Sequence, residues 1–355
     1  MNILLLASHA VAEYDDLRMF TDLGYDCFAP GGYEVPSRSG EGIRPALPDA
    51  PHHPDFVELC NIVRNAYGEP GQYIDWAKAL IDEDIIDWAD AIIVHHFPRH
   101  WIGLQWDRIK HKRVIWRTCG QSDPATEQDM AQFRADGLQI VRYSPAERRH
   151  FERLGCFAGE DALIRFGKYP DDYGPWIGDQ ATVGNVTQDF VARGESVGYP
   201  FWLAATEGLP RRPVGKGSDP EFEARFKADT GEELGPLPYE MMLDYLRHIR
   251  TYLYTGTRPA SYTLALIEAM LSGVPVVSIG PKAWGAGWDG EDLFEGHEIV
   301  GMGYDHPADA KGQLQVFLDE WDTSSRSVWS EECRQRAIEL FDVKTVGAQW
   351  QEFLS

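Results

Sequence analysis

Residues 2–8, NILLLAS, hold an unbroken apolar run, 3–7, too short for a core helix, so they read as a strand buried on both faces. A polar loop leads from there into a helical pattern near 14–23, and 25–28 supplies a second strand. Helical periodicity returns at 56–66 and 73–87, and short β-branched runs at 91–94, 114–117 and 138–142 predict further buried strands. Residues 145–154 follow as a helix with Ala146, Phe151 and Leu154 toward the core, and 162–166 as another strand. Strands alternating with helices predict an α/β domain, a doubly wound parallel sheet covered on both faces. Residues 30–53 break the pattern: they are rich in Pro, Gly and charge, and read as a long loop or insertion.

After the aromatic, turn-rich stretch 170–178, where a hinge is expected, the pattern begins again. Residues 181–184 predict a strand entering the loop GNVTQDFVARGE. The clearest segment is 251–280, TYLYTGTRPASYTLALIEAMLSGVPVVSIG. Tyr252, Leu253 and Tyr254 predict a strand, Gly256 and Pro259 punctuate a loop, and Ser261 is an N-cap type for a helix over 262–272. Gly273 suits the helix stop, and 274–279 is a β-branched run of the kind buried in a parallel sheet. A helix opening just past a strand offers backbone N–H groups, here those of Ser261, Tyr262, Thr263 and Leu264, and its dipole favours an anion there. Glu268 lies five residues past Thr263, about 7.5 Å along the axis. That spacing matches a diphosphate and its ribose; the plain alternative is a polar residue on an amphipathic helix. The last twenty residues, with Val346, Trp350 and Phe353, predict a terminal helix.

The run RPASYTLALIEAMLSGVPVVS resembles the donor-site segment of retaining GT-B glycosyltransferases of the group 1, family 4-like kind. Their pattern is Glu, seven residues, Glu, then Ala-Met and Gly-x-Pro-Val-Val. Glu268, Ala269, Met270, Gly273, Pro275, Val276 and Val277 stand at matching places, and Ala260 stands at the first Glu. The resemblance implies the GT-B architecture, two Rossmann-like domains facing across a cleft. It gives 1–168 as the acceptor-binding domain, 169–335 as the nucleotide-sugar donor domain and 336–355 as a helix crossing back. It implies transfer of a hexosyl unit from a nucleotide diphosphate sugar, such as a UDP-sugar, to an acceptor hydroxyl, with retention. In that family the leaving phosphate accepts the acceptor proton, so no protein nucleophile is required; the resemblance implies no cofactor and no metal.

Residue roles follow from the same resemblance. Glu268 would hold the ribose, and the amides of residues 261–264 the diphosphate. Asn185 lies in the loop after the first strand of the second domain, Arg193-Gly194 stands where the family has a cation-Gly pair, and Lys216 is a second cationic candidate. A cation beside the leaving group stabilises the charge that develops there, which makes Arg193 a catalytic candidate; His96 is the other, as an imidazole that could hydrogen-bond a sugar hydroxyl or position the acceptor. His96 precedes Pro98 at a strand end, like the last His of the family's His-x-His-x-Pro loop. His9, Ala10, His95, Gly120 and Gln121 end neighbouring strands and are acceptor-binding candidates. The plain alternatives are a surface Arg193 and, for one of the histidine pair, a core imidazole bonded to backbone.

Composition narrows the picture. With 355 residues and 43% hydrophobic content the chain can bury two cores. Its net charge of −23 opposes broad attraction to nucleic acid or anionic lipid. The runs at 107–117 and 142–153 are nevertheless locally basic, and read as solvated helix faces and surface loops, with a local basic cleft as the alternative. That cleft would suit an acceptor in hydroxymethylated DNA; a small molecule or glycan is the simpler acceptor. A catalytically silent, glycosyltransferase-like binding subunit is a further alternative, prompted by Ala260. The apolar start lacks the basic region of a signal peptide, no apolar run is long enough to span a bilayer, and the odd, scattered Cys27, Cys60, Cys119, Cys156 and Cys333 suit reduced thiols, so a cytoplasmic protein is expected. No Gly-x-Gly-x-x-Gly follows the first strand, and neither a phosphate-binding Gly-Lys-Ser/Thr loop nor a Gly-x-Ser-x-Gly elbow occurs. The acidic spots 82–84 and 171–172 read as helix and turn polarity rather than metal ligands.

Overall fold

The computed structural model describes residues 1–30, 33, 44–45, 47, 78–120, 123–215, 220–231, 237–284, 293–294, 303–319 and 323–355. The expected helix at 56–66, most of the 30–53 loop and the start of the 73–87 helix lie outside them. The chain forms two compact units, Met1–Lys168 with Val343–Ser355, and Tyr169–Asp342.

The first unit holds a parallel sheet of β1 (Asn2–Leu6), β2 (Asp26–Phe28), β3 (Ala91–Val94), β4 (Arg113–Arg117), β5 (Gln139–Arg142) and β6 (Ala162–Leu163), in the order β2-β1-β3-β4-β5-β6. Side chains of a strand alternate between faces, and both faces here are apolar. Leu4, Leu6, Ile92 and Val94 pack with Trp101, Ile102 and Trp106 on one side. Ile3, Leu5, Ile93 and Ile115 pack with Phe20 and Trp350 on the other. An unbroken apolar strand is what two covered faces require.

Two helices on the second face differ from expectation at their starts. The helix after β1 runs Ala10–Asp22, four residues ahead of the apolar periodicity, because His9 Nδ1 accepts from the Ala12 N–H at 3.3 Å and caps it there. The returning helix begins at Val343, seven residues later than 336, while the helix Thr323–Phe341 stays in the second unit. Within the first unit Trp350 meets Phe20 edge-on at 5.1 Å, and Arg113 donates to the Phe353 and Leu354 carbonyls at the helix end.

The second unit holds β7 (Gln180–Val186), β8 (Arg211–Val214), β9 (Ile249–Tyr254), β10 (Val276–Ile279) and β11 (Gly303–Tyr304), all parallel, in the order β8-β7-β9-β10-β11. Each sheet therefore adds its second strand on one side of the first and its third on the other. The reversal opens a crevice at the strand carboxyl ends, between β1 and β3 in one sheet and between β7 and β9 in the other. Candidate residues stand at both places.

Candidate functional site

In the second unit, the loops after β7 and β9 are locked together. Gly198 has φ of 66°, and a Cβ there would come within 2.9 Å of the Thr255 carbonyl oxygen. Thr255 Oγ1 donates to the Val197 carbonyl at 2.7 Å, and the Arg258 N–H donates to the Ser196 carbonyl at 2.7 Å. The Arg258 guanidinium reaches the carbonyls of Glu195 and Ala283. Arg193 closes the short helix Phe190–Arg193 in this same loop cluster. Burial pulls both guanidinium groups below their ordinary pKa, and among the described residues neither makes a salt bridge. Two half-buried cations, near Asp189 and Glu195 but in salt-bridge contact with neither, leave this strand end receptive to an anion.

The helix beyond β9 runs Leu264–Leu271, and its N-cap is Thr263, whose Oγ1 accepts from the Leu266 N–H at 3.3 Å. Ser261 is not the cap. The preceding loop consumes two more residues than the sequence suggested: the Ala260 N–H donates to the Thr257 carbonyl at 2.6 Å, and Tyr262 is buried edge-on to Phe341 at 5.3 Å. Among the described residues, the amides that open the helix without an intrahelical or side-chain acceptor are those of Leu264 and Ala265, and those of Ser261, Tyr262 and Thr263 precede the helix rather than open it. Glu268 is 3% exposed, so it does not lie on an exposed polar face of its helix. Burial pushes the Tyr252 phenol pKa up, and the Glu268 charge pushes it further, so the carboxylate lies near the buried end of β9.

Two donor-site candidates resolve differently. The Asn185 side chain donates to the Leu253 carbonyl at 2.8 Å, and its backbone N–H donates to the Tyr245 hydroxyl at 3.1 Å. It stitches β7 to β9 from a fully buried position, which corrects its ligand-binding role. Lys216 lies outside the described residues.

In the first unit the histidines separate into distinct roles. His95 is fully buried, with Nε2 3.1 Å from Asp16 Oδ2, and Arg117 Nε lies 3.8 Å from the same oxygen. It is therefore a core imidazole held by a carboxylate rather than by backbone, and it does not reach an acceptor. Ala10 is buried as the first residue of the capped helix, which also removes it from the acceptor set. His9 and His96 meet edge-on at 5.2 Å across the switch point. His96 and Phe97 take φ of 37° and 42°, an uncommon left-handed pair of non-glycine residues, to turn the chain from β3 into the helix Pro98–Ile109. His96 then lines a cavity of about 240 Å³, together with Phe97, Arg99, His100, Asp123 and Thr126. Gly120 follows β4 with φ of 82°, and Gln121 lies outside the described residues. Sequence reasoning missed Arg99, Asp123 and Thr126; the Asp-Pro pair that caps the helix Pro124–Arg134 was the available signal.

Burial and neighbouring imidazoles hold His9 near pKa 4, down from 6.5, and His96 well below its ordinary value. The unfolded chain, with ordinary imidazoles, binds protons that the folded one refuses until the pH nears 4, so this contribution is complete above about pH 6.5 and declines through the window below it. His9 is half-buried, which moderates its share to roughly 2 kcal/mol. The melting temperature should fall between pH 7 and pH 5, and His9→Asn, which keeps an N-cap, should flatten that slope; an unchanged slope would contradict the assignment.

Most cations of the basic runs are paired within the protein. Arg142 forms a fully buried bidentate pair with Glu127, and Arg117 donates to the Ile164 and Arg165 carbonyls. Arg108 pairs with Glu83, Lys110 with Asp107, and Arg148 with Glu152 and Glu160. Arg117 and Arg142 are buried, while the other arginines and lysines of these runs are exposed or half-buried, as solvated faces require, and their pairing with carboxylates withdraws support from a DNA-phosphate cleft.

No known family's sequence pattern matches the chain, and no curated protein matches it. Solved structures do. A glycosyltransferase from Rickettsia africae superposes with a TM-score of 0.66 at 11% identity, over 100% of this chain and 98% of the other. Sucrose-phosphate synthase from Thermosynechococcus elongatus gives 0.65 at 14%, over 100% and 98%. The chain has the GT-B fold. HepE from Anabaena, a GT-B structure in complex with UDP and glucose, gives 0.65 at 14% identity, over 100% and 99%. TarM matches 75% of this chain with a TM-score of 0.57 at 13% identity, and the chain spans about half of its length, 54%.

Proposed function

We propose that this chain is a cytoplasmic glycosyltransferase that moves a hexosyl unit from a nucleotide diphosphate sugar to an acceptor hydroxyl, with retention of configuration. The observation that carries the reading is the buried Glu268 on a helix that opens at the β7/β9 switch point of a GT-B fold. The Leu264 and Ala265 amides and Arg193 would hold the diphosphate, and Glu268 the ribose hydroxyls. Binding would stabilise the leaving group as the anomeric C–O bond to phosphate breaks. The acceptor oxygen forms the new bond, and its proton passes to the departing phosphate oxygen. In the first unit His96 would position the acceptor hydroxyl. Among the described residues no helix is long and apolar enough to cross a membrane.

The positive charge comes from guanidinium and amide groups, so the reading expects metal-independent turnover. Activity should survive EDTA unchanged; its loss on chelation and return with a divalent cation would remove that part of the proposal. A thermal-shift screen against uridine, guanosine, adenosine and thymidine diphosphate sugars tests the donor, since a ligand selective for the folded state raises apparent stability by mass action. Uridine diphosphate sugars head the panel because of the HepE complexes. A flat panel would remove the donor reading. A hit without release of nucleoside diphosphate, across neutral acceptors, would favour the silent binding subunit, which buried Ala260 at the place of the family's first Glu also supports.

A further inference from the structure

The cavity at the carboxyl ends of β3 and β4 has a definite chemical character. We infer that it is the acceptor subsite and that it takes a neutral, hydroxylated ring in preference to a phosphorylated or otherwise anionic acceptor. The inference rests on the glycosyltransferase reading for the word acceptor, and on the cavity itself for the chemistry.

Charge is the first argument. Arg99 is the cation of the wall, but its Nε lies 3.0 Å from Asp129 Oδ2 and its Nη2 3.0 Å from Asp123 Oδ1. Nε also donates to Thr126 Oγ1 at 3.1 Å. Among the described residues one guanidinium is thus shared by two carboxylates, Asp123 in the lining and Asp129 behind it, so the wall offers no uncompensated positive charge. A phosphate entering there would have to displace a carboxylate from Arg99 or sit beside Asp123.

Hydrogen-bonding capacity is the second. His96 is 6% exposed, and among the described residues its Nε2 is buried without a hydrogen-bond partner. Burial and the neighbouring His9 and His95 rings keep it neutral at physiological pH. A neutral imidazole has one donor and one acceptor nitrogen, and a hydroxyl, which can both give and receive, satisfies either. An unpaired buried nitrogen is costly, so a ligand hydroxyl that fills it is favoured.

Shape is the third. The Phe97 ring is 48% exposed, set between the His96 ring at 5.7 Å and the His100 ring at 6.1 Å, on backbone held at φ of 42°. It presents an aromatic face beside polar groups, which suits a ring with apolar C–H edges and hydroxyl rims. The volume of about 240 Å³ lies under the roughly 300 Å³ at the small end of drug-sized sites, so one ring fits and any further chain extends outside.

Saturation-transfer NMR on the full chain tests this with two probe sets, methyl gluco-, galacto- and mannopyranosides and the corresponding hexose 6-phosphates. At least one glycoside should bind, with affinity about tenfold above its phosphate. Phe97→Ala should weaken that binding about fivefold or more without moving the unfolding temperature. Asp129→Asn, which removes one carboxylate from Arg99 outside the cavity lining, should raise affinity for the hexose phosphate several-fold and leave the glycoside unchanged. Tighter binding of the phosphates, glycoside binding indifferent to Phe97→Ala, or binding of neither set would overturn the inference. The donor screen reads separately: a nucleotide-sugar hit with failed glycoside binding removes only this inference, and glycoside binding with a flat donor panel removes only the glycosyltransferase reading.

Discussion

Glu268→Gln is expected to weaken nucleotide-sugar binding about 10- to 100-fold, because charge-assisted hydrogen bonds from ribose hydroxyls to a carboxylate are worth about 1.5–3 kcal/mol. Glutamine keeps the volume of a side chain that is 3% exposed, so packing is preserved and the ligand-free protein should unfold near the wild-type temperature. Its amide nitrogen can only donate, where the carboxylate oxygen accepts. At a ligand concentration of about 100 times the wild-type Kd, the wild type gains about 2.7 kcal/mol of stability and the variant about 1.4 or less. Calorimetric titration with the donor found in the screen checks the affinity directly. An unchanged Kd would show that the buried carboxylate serves the fold alone, and the proposed donor site would fall with it.

Arg142→Met should be the most destabilising single change in the first unit. The Arg142 guanidinium, fully buried on β5, lies 2.5 Å from Glu127 Oε1 and 3.5 Å from Glu147 Oε2. It also donates to the Gly159 carbonyl at 3.1 Å and stacks over Phe157 at 4.9 Å. Thr118 Oγ1 donates to Glu147 at 2.6 Å, and the Ala158 N–H donates to Glu127 at 3.0 Å, so the carboxylates are fixed by hydrogen bonds as well. Removing the cation strands two buried carboxylates, which costs about 3–5 kcal/mol. Arg142→Met combined with Glu127→Leu should recover part of that loss, because it removes one of the stranded charges. Urea unfolding with both variants measures the difference. Loss below about 1 kcal/mol in the single variant would show that the network contributes little to stability.

These two residues show how unevenly the site was legible. Glu268 stood out because everything that positions it is local: a strand, a loop and a helix within thirty residues, closed by Gly273. The helix start was misplaced from Ser261 to Thr263 because either residue can cap, and the choice was made by Tyr262 burying against Phe341, 79 residues away in sequence. Arg142 was unreadable for the same reason on a larger scale. It opens a run, 142–153, that is basic as a whole, and the carboxylates that pair with it lie on two different helices. His95 and His96 are adjacent in the chain, yet Asp16 claims one for the core and a left-handed turn delivers the other to the cavity.

The amino-acid sequence by itself determined the alternation of buried strands and covering helices, the two-unit division and the segment carrying Glu268, because apolar periodicity, caps and glycine stops act over a few residues. Tertiary structure alone decided which charged groups are paired inside, which histidine meets the cavity, and that Asn185 serves the sheet. Those outcomes depend on partners brought together by strand order, and strand order is not written in any local pattern.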